Sequence, residues 1–545
     1  MSRWRDPAAL GEVVGLVFAA IVLAWPLSYV LGRSVWDDGP TLTYLGRLLS
    51  EPLYRDALVH SLVVAGGGAL GATLLGVPLA VCLARFRFRG QRAITALSLL
   101  ALLSPPFIGA YAWILLLGTQ GTLRGWLQGL GWDPPAIYGP QGIVLVFALQ
   151  YYPVVVLLTK DALSTVDASL EEAAASLGAG RWTRLRRVVL PLALPGIGNG
   201  LLIAFMLSLA NFGTPAVLGR NYETLPTLAY GLFRSEVAQE PGLPAAACVL
   251  LILCAGGGLV FTRWWLGRRQ TAGDLLRVRE PQPLVGWQRW AVPGLCWTVV
   301  AASSLPLIAV VATSFRATRG LVFRPGLSLD SYRAVLEHVP LAGRNSLLFA
   351  TLAVLGIGVG GAWFGYTLAR RKTAAARVLE VLLMTPYLVP GIALGLGYVM
   401  AFHQGPLPLT GTAAILVLAY TVRRLPYAVR SCEALLAQLD PSLEEAARSL
   451  GASPTRAFGE VTLPLMAPGI ASGMLLGWTT AVNELSASVV LYVGDTITLP
   501  VLIYQRVNEG AYGPAAALAT VLLAVTGAVL YALLRWADAT GSWAR

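Results

Sequence analysis

The sequence predicts an all-α membrane protein of about twelve spanning helices, on the strength of three observations. The 545 residues are 56% hydrophobic and only 12% charged. The apolar residues gather in unbroken runs of about twenty or more, and one stretch of the chain occurs twice. A water-soluble domain has roughly a quarter of its residues charged, so the bilayer is the solvent for most of this chain. Only helices and closed barrels satisfy every backbone N–H and C=O inside hydrocarbon. Barrel strands would show as alternating segments of about ten residues, which the long runs exclude.

Taken in order, the apolar spans lie near 11–31, 58–83, 95–118, 140–160, 191–218 and 243–266. A second set lies near 290–313, 345–369, 378–402, 411–430, 466–492 and 512–535. Arg3-Trp4-Arg5 could open a secretion signal, but the run behind it is long and lacks a small-x-small cleavage site, so a retained helix is expected. Loops rich in Lys and Arg stay in the cytoplasm. With both termini inside, 28 of the 40 Lys and Arg fall on the cytoplasmic side and 12 on the other. Arg85, Arg87, Arg89 and Arg92 form one cluster, Arg370, Arg371, Lys372 and Arg377 another, and six arginines lie between Arg263 and Arg289. This bias and the anionic headgroups of membrane lipid account for the net charge of +12. No nucleic-acid partner is expected.

Cys82, Cys248, Cys254, Cys296 and Cys432 sit in or beside apolar runs with no Cys-x-x-Cys pair, which reads as packing. His60, His338 and His403 are too scattered for a metal cage, so no metal ligand set is expected.

The repeat organises the chain. Residues 167–197 read DASLEEAAASLGAGRWTRLRRVVLPLALPGI and residues 440–470 read DPSLEEAARSLGASPTRAFGEVTLPLMAPGI, identical at 18 of 31 positions at a spacing of 273. Weaker echoes flank them: His60-Ser61 and Ala84-Arg85 answer Asn345-Ser346 and Ala369-Arg370, and Tyr152-Pro153 answers Leu425-Pro426. The chain is therefore expected to comprise a first half at 1–270, a cytoplasmic linker at 271–289 and a second half at 290–545. Six crossings per half make the repeats parallel, related by an axis along the membrane normal rather than inverted.

Within the repeated segment the spacing predicts a short amphipathic helix. Ser169 with Glu172, and Ser442 with Glu445, have capping-box spacing, while Asp440 before Pro441 is an equally good start. Leu170, Ala173, Ala174 and Leu177 fall on one face, as do Leu443, Ala446, Ala447 and Leu450. Gly178 and Gly451 stand where a left-handed C-terminal turn calls for glycine. A second short helix is then expected to run to Pro191 or Pro464. A surface helix that only reseals the membrane face would have no reason to occur twice at matched positions.

The residues Glu172, Ala173, Ala174, Gly178, Leu190 and Pro191, matched by Glu445, Ala446, Ala447, Gly451, Leu463 and Pro464, resemble the EAA loop of binding-protein-dependent ABC importer permeases. Val188 and Val461 stand where that pattern has isoleucine. The resemblance implies a type I ABC importer permease fold in a bacterial inner membrane, multi-pass, without enzymatic activity of its own. It further implies that each EAA helix docks in a cleft of a cytoplasmic ATPase, two copies in all, whose closure rocks the halves between inward- and outward-open states. Glu171, Glu172, Ala173, Ala174 and Gly178, with Glu444, Glu445, Ala446, Ala447 and Gly451, are then the coupling residues. A substrate-binding protein on the far side is the other implied partner.

The motor is expected elsewhere, because a P-loop needs Gly-Lys followed by Ser or Thr. The only lysines are Lys160 after Thr159 and Lys372 after Arg371, so ATP and Mg belong to the partner and the chain binds no cofactor. Polar residues deep in spans are costly and mark routes or interhelical bonds. Glu484 with Asn483 stands out, and Asn211 is its match across the repeat. All three are candidates for the translocation path, with helix packing as the equal alternative. The polar loops near 220–223 and 494–498 are candidate docking points for the binding protein. Asn-Phe-Gly-Thr-Pro at 211–215 and Asn-Glu-Leu-Ser-Ala-Ser at 483–488 look most like the ferric-iron branch of the family. Thiamine, polyamine and aminoethylphosphonate importers are the alternatives. An ion-coupled secondary transporter would leave the duplicated EAA loops unexplained.

Overall fold

The structure, a computed structural model, describes residues 6–119, 121–235, 240–267, 281–319, 322–404 and 406–539. Among these, nine helices are long and apolar enough to cross a membrane: Pro7–Val35, Pro52–Arg85, Pro140–Ser164, Arg181–Leu209, Gly242–Phe261, Gln288–Ser314, Val339–Arg370, Pro454–Val482 and Tyr512–Val529. Two more spans are bent pairs, Gln91–Leu103 with Pro106–Gly129 at 100° and Ala374–Tyr387 with Gly391–Phe402 at 112°. Pro105-Pro106 and Pro390 sit at these breaks, where proline removes a backbone donor and disfavours helix in the residue before it. The span expected at 411–430 is the 24-residue helix Ala413–Leu436, set apart from the purely apolar helices by Arg423, Arg424, Arg430 and Glu433. Leucine and valine exposed in mid-helix, among them Leu74, Leu355 and Val359, suit a lipid solvent.

The described helices form two compact units, and these do not coincide with the sequential halves. One comprises Met1–Leu48, Ala229–Val249 and Ser314–Arg545; the other comprises Leu49–Leu228 and Leu250–Thr313. The first helix of each repeat is thus housed with the bulk of the other repeat. In one unit, Trp363 Nε1 donates to the Pro7 carbonyl at 3.0 Å and Tyr398 Oη to the Val22 carbonyl at 3.0 Å. Glu12 accepts from Arg371 and, at 2.7 Å, from Thr373 Oγ1. In the other, the Ser303 hydroxyl of Gln288–Ser314 lies 3.1 Å from Tyr152 Oη. Of the linker expected at 271–289, residues 271–280 lie outside the described residues; Gln282–Pro283 pairs as a short parallel strand with Phe86–Arg87.

Each unit is built on the same helix pair, Pro52–Arg85 against Pro140–Ser164 and Val339–Arg370 against Ala413–Leu436. Lipid tails are as apolar as leucine, so helices in a bilayer associate through close packing of small residues. A Cβ on Gly76 would lie 2.9 Å from the Tyr152 carbonyl oxygen, and one on Gly361 2.3 Å from Ala428 Cβ. No larger residue fits either crossing.

Candidate coupling and transport site

The repeated segment forms the same structure twice. The helices Ala168–Ser176 and Ser442–Ser449 follow Asp167 and Asp440, whose carboxylates accept from the Ser169 and Ser442 backbone N–H at 2.8 and 2.9 Å. The aspartate two residues upstream, rather than the serine, therefore starts each helix. Both helices end in a Schellman turn. Gly178 has φ 82° and Gly451 φ 93°. The Ala179 N–H donates to the Ala174 carbonyl at 3.0 Å and the Ala452 N–H to the Ala447 carbonyl at 3.1 Å, which only a left-handed residue between them permits.

The second short helix does not stop at the proline. Arg181–Arg184 and Pro454–Ala457 each run through a π-helical stretch, Leu185–Val189 and Phe458–Thr462, into the spanning helices Leu190–Leu209 and Leu463–Val482. Pro191 and Pro464 have no N–H to give to the preceding turn. The wider turn just before them lets the Leu190 N–H reach the Leu185 carbonyl and the Leu463 N–H the Phe458 carbonyl.

The two glutamates of each pair face opposite ways. Glu171 and Glu444 point into the protein: Glu171 is buried and paired with Arg85. Glu444 pairs with Arg370 at 3.3 Å and accepts from Tyr366 Oη at 2.6 Å and Thr462 Oγ1 at 3.3 Å. Arg85 and Arg370 are the last residues of their long helices, which explains the Ala-Arg echo. Glu172, Ala173, Glu445 and Ala446 face outward, and Ala174 and Ala447 are half-buried. Leu170 and Leu443 are 47% and 48% exposed, Leu177 and Leu450 89% and 90%. The predicted apolar face exists in both copies, turned away from the protein.

The second echo is a latch at the other end of the same long helices. Ser61 Oγ accepts from the Leu225 N–H at 2.7 Å and Ser346 Oγ from the Leu499 N–H at 2.8 Å, holding the helices that begin at those leucines. His60 Nδ1 lies 2.9 Å from the Glu223 carbonyl, and Asn345 Nδ2 donates to the Asp495 and Ile497 carbonyls at 2.9 Å each. These bonds fix the two loops singled out as docking points.

Asn211, Asn483 and Glu484 were expected deep in continuous spans. They sit instead at breaks, just past the helix ends at Leu209 and Val482 and ahead of the short helices Gly213–Leu218 and Ser488–Leu491. Asn211 donates to Tyr151 Oη at 2.9 Å and accepts from the Thr214 N–H at 2.9 Å. Asn483 Nδ2 donates to the Thr479 carbonyl at 2.9 Å. Glu484, 4% exposed, accepts from Arg423 Nη1 and Arg424 Nη2 at 2.5 Å each and from the Ala487 N–H at 3.1 Å. The repeat spacing puts Gln150 and Tyr151 opposite these two arginines. Gln150 Nε2 donates to the Ala101 and Ser104 carbonyls at 2.7 and 2.9 Å, closing the proline break between the two helices of that span. Neither partner set stands out in the sequence, although the spacing of 273 that matches Asn211 with Glu484 also matches Tyr151 with Arg424. Among the described residues no three His, Cys, Asp or Glu come together as a metal site.

With this duplicated geometry established, the sequence matches the family described as "Binding-protein-dependent transport system inner membrane component" over residues 72–262 and again over 358–540. The chain belongs to that family. It is a multi-pass inner-membrane component of a transport system, built as two fused copies of the family's unit. The ferric transport system permease protein FbpB of Actinobacillus pleuropneumoniae is 27% identical over 536 residues, 96% of this chain and 77% of that protein. The Fe(3+)-transport system permease protein FbpB 2 of Haemophilus influenzae is 25% identical over 529 residues, 96% of this chain and 97% of that protein. The putative 2-aminoethylphosphonate transport system permease protein PhnV of Salmonella typhimurium is 30% identical over 238 residues, 44% of this chain and 90% of that protein.

Proposed function

We propose that this chain is the membrane permease of an ATP-driven, binding-protein-dependent importer of ferric iron, with both termini and both EAA loops in the cytoplasm. The observation behind the mechanism is the pair of outward-facing coupling helices, each presenting one leucine about nine-tenths exposed beside an outward glutamate. Large apolar side chains that exposed on a rigid, capped helix suit insertion into a partner's cleft. One ATPase copy would dock on each helix, with Leu177 and Leu450 as the apolar knobs and Glu172 and Glu445 as the polar contacts. Glu171 and Glu444 would serve differently, passing the push to Arg85 and Arg370 at the ends of the long helices. ATP and Mg stay on the partner.

The iron assignment rests on the near full-length relatives named for ferric transport. The half-length relative named for 2-aminoethylphosphonate supports that cargo as the second reading. Uptake of radiolabelled Fe(III) into proteoliposomes decides between them, with ATPase and ATP inside and binding protein outside. ATP-dependent iron uptake that disappears in Glu172→Ala/Glu445→Ala is the expected result. Uptake of aminoethylphosphonate instead would keep the mechanism and discard iron, and ion-gradient-driven uptake without ATPase would overturn both.

A further inference from the structure

One edge of the unit built mainly on the first repeat holds a concentration of unpaired positive charge. Arg181, Arg184, Arg186 and Arg187 fall within seven residues, and none has an ion-pair partner among the described residues. Arg184, half-buried, also leaves its Nε without a hydrogen bond. Leu185, from the same stretch, and Val81 and Ala84, at the end of Pro52–Arg85, pack against one buried cluster of Leu163, Val189 and Ala193. Arg87, Arg89 and Arg92 continue from that end, also without ion pairs among the described residues. Trp182 stands among these arginines, 69% exposed.

The second repeat shows that the architecture does not require this charge. Its matched residues 454–460 read Pro-Thr-Arg-Ala-Phe-Gly-Glu and are formally neutral, with Arg456 paired to Glu460 at 2.9 Å. The same helix, π-turn and span form there without the arginines.

We propose that the first-repeat edge binds the phosphodiester headgroups of anionic phospholipids, such as phosphatidylglycerol or cardiolipin. Two spanning helices, Pro52–Arg85 and Arg181–Leu209, end and begin at this edge, so it lies at the membrane surface. Guanidinium forks match phosphate oxygens, and an exposed tryptophan belongs at headgroup level. The inference rests on the membrane placement and not on the ATPase reading. Its consequence is that lipid steadies the stretch after the first coupling helix from outside, where the matched stretch of the second repeat balances its charge in the Arg456–Glu460 pair.

The test uses the whole permease in phosphatidylcholine vesicles containing a trace of spin-labelled phosphatidylglycerol or spin-labelled phosphatidylcholine. The wild type should hold the anionic label with about fivefold preference, falling to about twofold or less in Arg181→Gln/Arg184→Gln/Arg186→Gln/Arg187→Gln and unchanged in Arg456→Gln. Equal preference in the wild type and the fourfold variant would overturn the site. Inorganic phosphate should act no differently from sodium chloride at equal ionic strength; displacement specific to phosphate would make this a soluble-anion site and reject the lipid. If the fourfold variant does not fold, Arg186→Gln/Arg187→Gln, both on exposed residues, gives the same comparison. A variant that keeps the lipid preference but no longer captures the ATPase would assign the arginines to that partner, ending this proposal and leaving the importer reading intact.

Discussion

At positions matched by the repeat, the first copy places Gln150, Tyr151 and Asn211 and the second places Arg423, Arg424 and Glu484. The backbone is the same in both: a spanning helix ends, the chain turns, and a short helix follows. The neutral set closes the turn with ordinary hydrogen bonds, Asn211 to Tyr151 and to the Thr214 N–H. The charged set does so with one carboxylate held between two guanidinium groups, whose Nε atoms are both buried without a hydrogen bond. The difference teaches that this turn needs cross-helix hydrogen bonding, whereas charge there is an addition that costs desolvation. Two cations against one anion leave the second copy with a net positive charge where the first has none.

The largest effect should come from breaking the charged set on one side only. Glu484→Gln leaves two buried cations without their anion and should destabilise the fold by roughly 3–5 kcal/mol, read from thermal unfolding in detergent. An unchanged midpoint would mean that the arginines find water or another partner. Converting the set wholly to its counterpart, Arg423→Gln/Arg424→Tyr/Glu484→Asn, should recover most of that loss, because a buried ion cluster replaced by a satisfied neutral one is often close to neutral in stability. Transport by this triple variant sharpens the comparison: full uptake assigns the charges to packing, and a folded, ATPase-binding, inactive protein assigns them to the path.

Smaller effects should follow at positions where the copies agree more closely. Glu444→Gln weakens charge-assisted bonds to Arg370, Tyr366 and Thr462 and should cost about 1–3 kcal/mol, with reduced ATPase capture as a second readout. Asn211→Ala removes the bond that starts the following short helix and should cost about 1 kcal/mol in the same unfolding assay. The smallest is a pH effect. The Ser442 backbone N–H holds the Asp440 carboxyl below the usual aspartate range. Its contribution is fully present above the unfolded-state pKa, near 3.9, and fades as pH falls through the lower folded value. Asp440→Asn should therefore flatten the acid limb of thermal stability slightly in the same unfolding assay.

What could be read from the sequence was local or repeated. The repeated short helix, its apolar face and its left-handed glycine follow from spacings of three and four residues and from backbone sterics, and both copies of this local structure formed as expected. Which glutamate of each pair turns inward could not be read, because Glu171 and Glu172 differ only in what the rest of the fold sets opposite them. The π-turns were hidden because helix periodicity gives no sign of one extra residue, and Pro191 and Pro464 looked like stops. Hydropathy gives no sign that Arg423 and Arg424, inside the span expected at 411–430, are mostly buried against Glu484. Hydropathy also cannot tell which neighbour an apolar helix will choose, so the placement of Pro7–Val35 and Gln288–Ser314 came only from the structure.

That placement of the first helices has a consequence for assembly. Each repeat donates its opening helix to the compact unit that is otherwise mostly the other's. Cut within the linker, the chain would give two fragments that are obligate partners in one-to-one ratio, each short of a helix that only the other can provide. Covalent fusion sets that ratio at synthesis.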